Sequence, residues 1–135
     1  MSLSEGVYLI RSLGSDNSFV GVGPIPLIYP PPPAPLRCTP ATMRDPIGLK
    51  PADGKYILEH KGIRYAIGSD EEGRVKLISG GGGGIKWTID RSGEGSFRIK
   101  DPDSDRYWTA PKIITLQGEN GGPKQEWEFE NADDD

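Results

Sequence analysis

Nucleophilic catalysis needs a nucleophile beside a base, and this chain of 135 residues holds one cysteine, Cys38, and one histidine, His60. Any Ser-His-Asp or Cys-His arrangement must therefore pass through His60. Cys38 falls on an inward position of an alternating stretch and His60 at the end of another, so a catalytic pair is not expected. His60 reads as a packed or solvated side chain. Asp101, Asp103 and Asp105 alternate in "DPDSD" (101–105). A calcium loop would need a glycine and a later bidentate glutamate at fixed spacing, and neither follows, so this reads as an exposed turn. "GGGGG" (80–84) is not followed by Gly-Lys-Ser/Thr and reads as a hairpin connection, not a phosphate cradle. The expectation is a protein without metal, cofactor or catalytic activity, hence a binding protein.

The segment that could bind is "GPIPLIYPPPPAPLRC" (23–38), in which seven of sixteen residues are proline. Proline lacks an amide donor and fixes φ, which favours an extended path outside any sheet ladder. Leu27, Ile28 and Tyr29 are then apolar groups on a stiff backbone. Such a segment loses little entropy when a partner orders it.

The elements that must carry this segment show themselves as a repeat. "EGVYLIRS" (5–12), "DGKYILEH" (53–60) and "EGSFRIKD" (94–101) share acid, glycine, any residue, aromatic, any residue, aliphatic. Each leads to a second stretch, Phe19-Val20, Tyr65-Ala66 or Tyr107-Trp108. A third alternation follows, Leu36 and Cys38, Val75 and Leu77, Ile114 and Leu116. A fourth closes each unit, "IGL" (47–49), "WTI" (87–89) and "WEF" (127–129). Apolar residues alternate with polar ones throughout, as in half-buried strands. Three units of four strands predict an all-β chain of twelve strands with pseudo-threefold symmetry, a β-trefoil. The expected units are 5–52, 53–93 and 94–130 in a single domain, 1–135, with 131–135 as a frayed acidic tail. Tyr8, Ile10, Tyr56, Leu58, Trp87, Phe97, Ile99 and Trp127 are the expected core. The first two signature glycines are 48 residues apart and the next two 41. The extra residues lie between the second and third strands of unit one, in the proline-rich segment itself.

Composition narrows the partners. A net charge of −4 lacks the basic footprint of a nucleic-acid binder. No apolar run is long enough to span a bilayer. The start "MSLSEGVYLI" lacks a basic n-region and a long apolar stretch, and a lone cysteine suits a reducing compartment, so a cytoplasmic monomer is expected.

"KWTIDRSGEGSFRIKDPDSDRYWTAPK" (86–112), with "LSEGVYLIRS" and "FVGVG" near the start, resembles the small serine-protease inhibitors of mushrooms, the mycospin type. The shared features are Trp-x-Ile, an aromatic-x-Ile strand, and a Trp followed shortly by Pro. The resemblance implies a fungal β-trefoil whose reactive loop joins strands 2 and 3 of the first unit. Carried onto this chain, that loop contains Pro24, Pro26, Leu27, Ile28, Tyr29 and Pro30. Trypsin-directed members place arginine there; here Leu27 is the expected primary residue, with Arg37 on strand 3 as the alternative. The related mycocypins, which inhibit cysteine proteases, share the fold. Ricin-type trefoil lectins give a second expectation, carbohydrate binding. Their Gln-x-Trp has one counterpart, Gln125-Glu126-Trp127, and their sugar-binding aspartate only a neighbour, Asp70. "IYPPPPAPL" could also serve as a polyproline ligand for an aromatic-lined groove.

Overall fold

A computed structural model describes residues 3–14, 18–23, 34–78, 85–93, 95–110, 112–119 and 122–132. Unit one contributes β1 (Gly6–Ser12), β2 (Phe19–Gly21), β3 (Arg37–Thr39) and β4 (Ile47–Ala52). Unit two contributes β5 (Lys55–His60), β6 (Ala66–Ser69), β7 (Val75–Ile78) and β8 (Lys86–Gly93). Unit three contributes β9 (Ser96–Asp101), β10 (Arg106–Thr109), β11 (Thr115–Gln117) and β12 (Trp127–Asn131). Short 3₁₀ turns precede β4 and β12.

The first and fourth strands of each unit close a six-stranded antiparallel barrel, in the order β1-β4-β5-β8-β9-β12 and back to β1. Closure leaves this ring without a free edge. The hairpins β2–β3, β6–β7 and β10–β11 cap one end. Their third strands meet in two cyclic sets of backbone hydrogen bonds. Leu36 N–H donates to Val75 O, Val75 N–H to Ile114 O, and Ile114 N–H to Leu36 O, at 2.8, 2.9 and 2.9 Å. Cys38 N–H donates to Lys112 O, Leu77 N–H to Ala34 O, and Leu116 N–H to Gly73 O. These are the three alternations read from the sequence, now joined about one axis. The fold is a β-trefoil.

Symmetry places the core side chains in layers. Ile10, Leu58 and Ile99 are fully buried, as are Ile47, Trp87 and Trp127 one strand away. Trp87 and Trp127 pack edge-on against Trp108, with centroids 5.4 and 6.0 Å apart. Their indole N–H groups donate to Ile67 O and Trp108 O, so two buried donors are satisfied by the second strands of units two and three.

Three sequence expectations change. Phe97 is half-buried at the barrel's end, where it packs edge-on against Phe129, while the fully buried aromatic of that unit is Trp108. In unit two, Ile67 and not Ala66 stands opposite Leu77 and faces the core. Tyr65 mimics the aromatic that opens the other second strands but packs beside the core, one residue before the strand. Of the expected tail, Asn131 pairs with Tyr8 and Ala132 N–H donates to Val7 O, while 133–135 lie outside the described residues.

Candidate functional site

The connection between β2 and β3 differs from its two counterparts. Cys38, Leu77 and Leu116 pair with Val20, Ile67 and Trp108, which fixes equivalent positions in the three hairpins. Leu36 follows Val20 by sixteen residues, whereas Val75 follows Ile67 by eight and Ile114 follows Trp108 by six. Pro24, Pro26, Leu27, Ile28, Tyr29 and Pro30 lie outside the described residues. The structure gives the base on which they stand.

Both legs of that base are rooted in the core. Val22 is buried on the outgoing leg and Ala34 on the returning leg. Gly23 has φ of +68°, a left-handed conformation that suits glycine and turns the chain away from β2. Ala34 O accepts from Leu77 N–H, and Leu36 belongs to the first hydrogen-bonded ring. The outgoing leg is held by a side chain: Val22 N–H donates to Asp45 Oδ2 at 3.1 Å.

Asp45 is held in turn by His60. Nδ1 of His60 accepts from Ile63 N–H at 3.0 Å, so the neutral ring carries its proton on Nε2. Nε2 lies 3.0 Å from Asp45 Oδ2; the approach is oblique, so the contact is electrostatic as much as a hydrogen bond. Burial alone would raise the Asp45 pKa. The contact with His60 and the Val22 N–H together outweigh it and hold the carboxyl below its ordinary value.

Arg37 sits on β3, opposite Gly21, with its aliphatic stem against Gly23. Its Nε is buried without a hydrogen-bond partner among the described residues. The neighbouring amides of Leu36 and Cys38 are both bonded in the cap. A protease needs an accessible, extended peptide, and reaching the Arg37–Cys38 bond would require unpairing β3. Cys38 is half-buried, and burial pushes its thiol up to about 11, so little thiolate exists at neutral pH. The ring contacts found for His60 are with Asp45 and the Ile63 amide, not with Cys38.

The residues considered for metal or sugar are occupied internally. Asp101 is buried and caps the β9–β10 turn, accepting from Asp103 N–H and the Ser104 hydroxyl. Asp103 and Asp105 are exposed, and among the described residues no cluster of three or more His, Cys, Asp or Glu could hold a metal. Gln125 is fully buried and donates to Thr109 Oγ1 and Gly118 O at 3.0 and 2.8 Å. Asp70 accepts from the Glu72 and Arg74 amides and from the Arg74 guanidinium. Burial would raise its pKa, and these donors together lower it. The glycine run 80–84 lies outside the described residues.

A groove of about 470 Å³ crosses the barrel wall, lined by Val7, Gly48, Lys50, Ile57, Glu59 and Ala66 among others. Symmetry explains it. The row Val7–Gly48–Glu59–Ala66 is equivalent to Lys55–Thr88–Lys100–Tyr107 and to Ser96–Glu128–Arg11–Phe19. Those rows are filled by Lys100 over the Tyr107 ring and by the Arg11–Glu128 ion pair. Gly48 and Ala66 leave the first row open.

Solved structures of the same shape include a proteinase inhibitor from Coprinopsis cinerea, with a TM-score of 0.78 and 18% identity over 97% of this chain and all of that one. The designed threefold-symmetric protein ThreeFoil matches with a TM-score of 0.77 and 16% identity, over 94% and 99% of the two chains. A ricin B-like lectin from Macrolepiota procera, solved with lactose, matches with a TM-score of 0.73 and 14% identity, over 98% and 99%. Likeness at such identities carries the fold alone, and all three agree with the β-trefoil. No protein-family model matches the chain, and no curated protein matches it in sequence.

Proposed function

We propose that this protein is a protease inhibitor that acts through the proline-rich segment between β2 and β3. The observation that carries the reading is the asymmetry of the trefoil: one connection of three is extended by eight or more residues, and both of its legs are anchored in the core. A substrate-like inhibitor works by presenting an extended segment that is already ordered, so that binding loses little entropy. Prolines on both sides of Leu27-Ile28-Tyr29 serve that purpose. Leu27 fills the primary pocket, with Pro26 before it. Tyr29 suits the role less, because Pro30 follows and its ring crowds the bond. An apolar primary residue favours the hydrophobic pocket of chymotrypsin-like and elastase-like serine proteases over the acidic pocket of trypsin. The likeness to the Coprinopsis proteinase inhibitor supports the reading at the level of fold. Sugar binding is the second reading, supported at the same level by the lectin solved with lactose. Gln125 and Asp70, the residues the lectin resemblance singled out, already bond to groups of this chain, Gln125 in the interior and Asp70 at the surface.

The test is titration of the protein against chymotrypsin, elastase, trypsin and papain, beside Leu27→Ala and Arg37→Ala. Stoichiometric inhibition of the first two enzymes is expected. Leu27→Ala should weaken it by about 2–4 kcal/mol, as truncating a central anchor does. Inhibition of none of the four, or inhibition untouched by Leu27→Ala, would overturn the proposal.

A further inference from the structure

The second strand of unit one is secured differently from the other two. In units two and three the carbonyls of Ile67 and Trp108 accept from the indoles of Trp87 and Trp127. Unit one has Ile47 in the tryptophan's place and no such donor. There the equivalent carbonyl, Val20 O, accepts from the Asp45 amide at 3.3 Å. The same residue turns its carboxylate to the Val22 amide, two residues further along the leg. Gly21 supplies the room between them: a Cβ there would stand 3.2 Å from Asp45 Oδ2 and 3.1 Å from Met43 O. His60, from unit two, fixes the carboxylate from the other side. Where the barrel lacks its usual indole, the Asp45 amide takes over as donor, and the carboxylate of the same residue grips the leg that leads to Gly23.

We infer that Asp45 is a positioning residue for the proline-rich segment, holding its outgoing leg through Val22 while His60 holds Asp45. The inference rests on the protease-inhibitor reading. The returning leg is fixed by backbone bonds that every unit has, so Asp45 is the part specific to unit one. An inhibitor is retained while its bond stays aligned, and a leg free to shift is cut and released as a substrate is.

The experiment compares the parent with Asp45→Ala, Asp45→Asn and, as control, Asp101→Ala, which removes the turn cap of unit three and touches neither Asp45 nor Val22. Complex lifetime with chymotrypsin or elastase, cleavage of the inhibitor within the complex, exchange of the Val22 amide and melting temperature are measured on each. Asp45→Ala should shorten the lifetime about tenfold to a hundredfold, the scale of losing a hydrogen bond to a charged group, and be cut progressively. Asp45→Asn keeps one acceptor for Val22 and should recover part of the lifetime. Asp101→Ala should lower the melting temperature and leave the lifetime alone. Equal lifetimes for parent and Asp45→Ala, or an equal loss in Asp101→Ala, would overturn the inference. Should the parent inhibit neither enzyme, the functional reading falls, and Val22 exchange decides the clamp alone: at least about tenfold faster in Asp45→Ala if the clamp exists, unchanged if it does not.

Discussion

Ser12, His60 and Asp101 stand at one place in three units, two residues beyond Ile10, Leu58 and Ile99, and all three are buried. Each caps the turn after its own strand. Ser12 Oγ accepts from Gly14 N–H, His60 Nδ1 from Ile63 N–H, and Asp101 from Asp103 N–H and the Ser104 hydroxyl. The side-chain bonds found for Ser12 and Asp101 stay within their own turns. Only the imidazole has a second polar atom on the far side of its ring, and that atom reaches Asp45 in the neighbouring unit. The slot is a structural requirement of the trefoil; its occupant decides whether the slot also speaks to a binding segment. Symmetric positions are therefore a baseline, and function is sought where one copy does something the other two do not.

The largest break in that comparison comes from the residue paired with Ser12 across the strands. Trp127 is fully buried, packed edge-on against Trp108, and its indole satisfies Trp108 O. Trp127→Ala should cost about 3–5 kcal/mol in denaturant unfolding. A change below about 1 kcal/mol would remove Trp127 from the core layer.

The three slot residues should then separate in order. His60→Ala loses a turn cap and leaves the Asp45 carboxylate without its imidazole, and should cost about 2–3 kcal/mol. Asp101→Ala loses two hydrogen bonds within one turn, about 1–2 kcal/mol, and Ser12→Ala one, about 0.5–1 kcal/mol. Equal losses at all three would mean that the link from His60 to Asp45 adds nothing.

Acid sharpens the same contrast. The Asp45 pKa is held below its ordinary value of 3.8 in the folded chain. Its contribution to stability is therefore fully present above that value and disappears as pH falls through the lower folded one. Parent and Asp45→Asn should differ in urea midpoint at pH 6 and converge as the pH drops below 3.8. A difference that persists unchanged to pH 2 would show that the carboxylate's charge plays no part.

The sequence carried the architecture because its signals were periodic. Alternation marked twelve strands, and the third-strand residues Leu36, Val75 and Ile114 proved to be the ring at the cap. The length difference alone located the extended connection. The Asp45–Val22–His60 contact had no such signal: it joins two units through side chains at unrelated spacings, and only the fold brings them together. Gln125 was legible only as part of a Gln-x-Trp string; that its amide is buried on the carbonyls of its own β11 region came from the fold.

The signature glycines give the smallest and cleanest contrast. The motif reads alike at Gly6, Gly54 and Gly95, yet the chain uses them differently. Asp53 and Gly54 both have positive φ, +54° and +78°, between the paired strands β4 and β5. That is the geometry of a two-residue hairpin turn whose twist matches its strands. Gly95 has φ of +80° at the matching boundary. Gly6 follows no such hairpin and lies inside β1, paired with Leu49. A Cβ at Gly54 would meet nothing within 4 Å, so Gly54→Ala loses no space and suffers only the left-handed backbone. It should cost about 1 kcal/mol. A Cβ at Gly6 would touch Tyr8 at 3.6 Å, an ordinary contact, on an extended backbone. Gly6→Ala should be neutral or stabilise by up to about 0.5–1 kcal/mol through the unfolded chain. Thermal melts of the two single variants decide it: opposite signs support a conformational role confined to the hairpin, and equal destabilisation would mean that the glycine serves the same purpose in all three units.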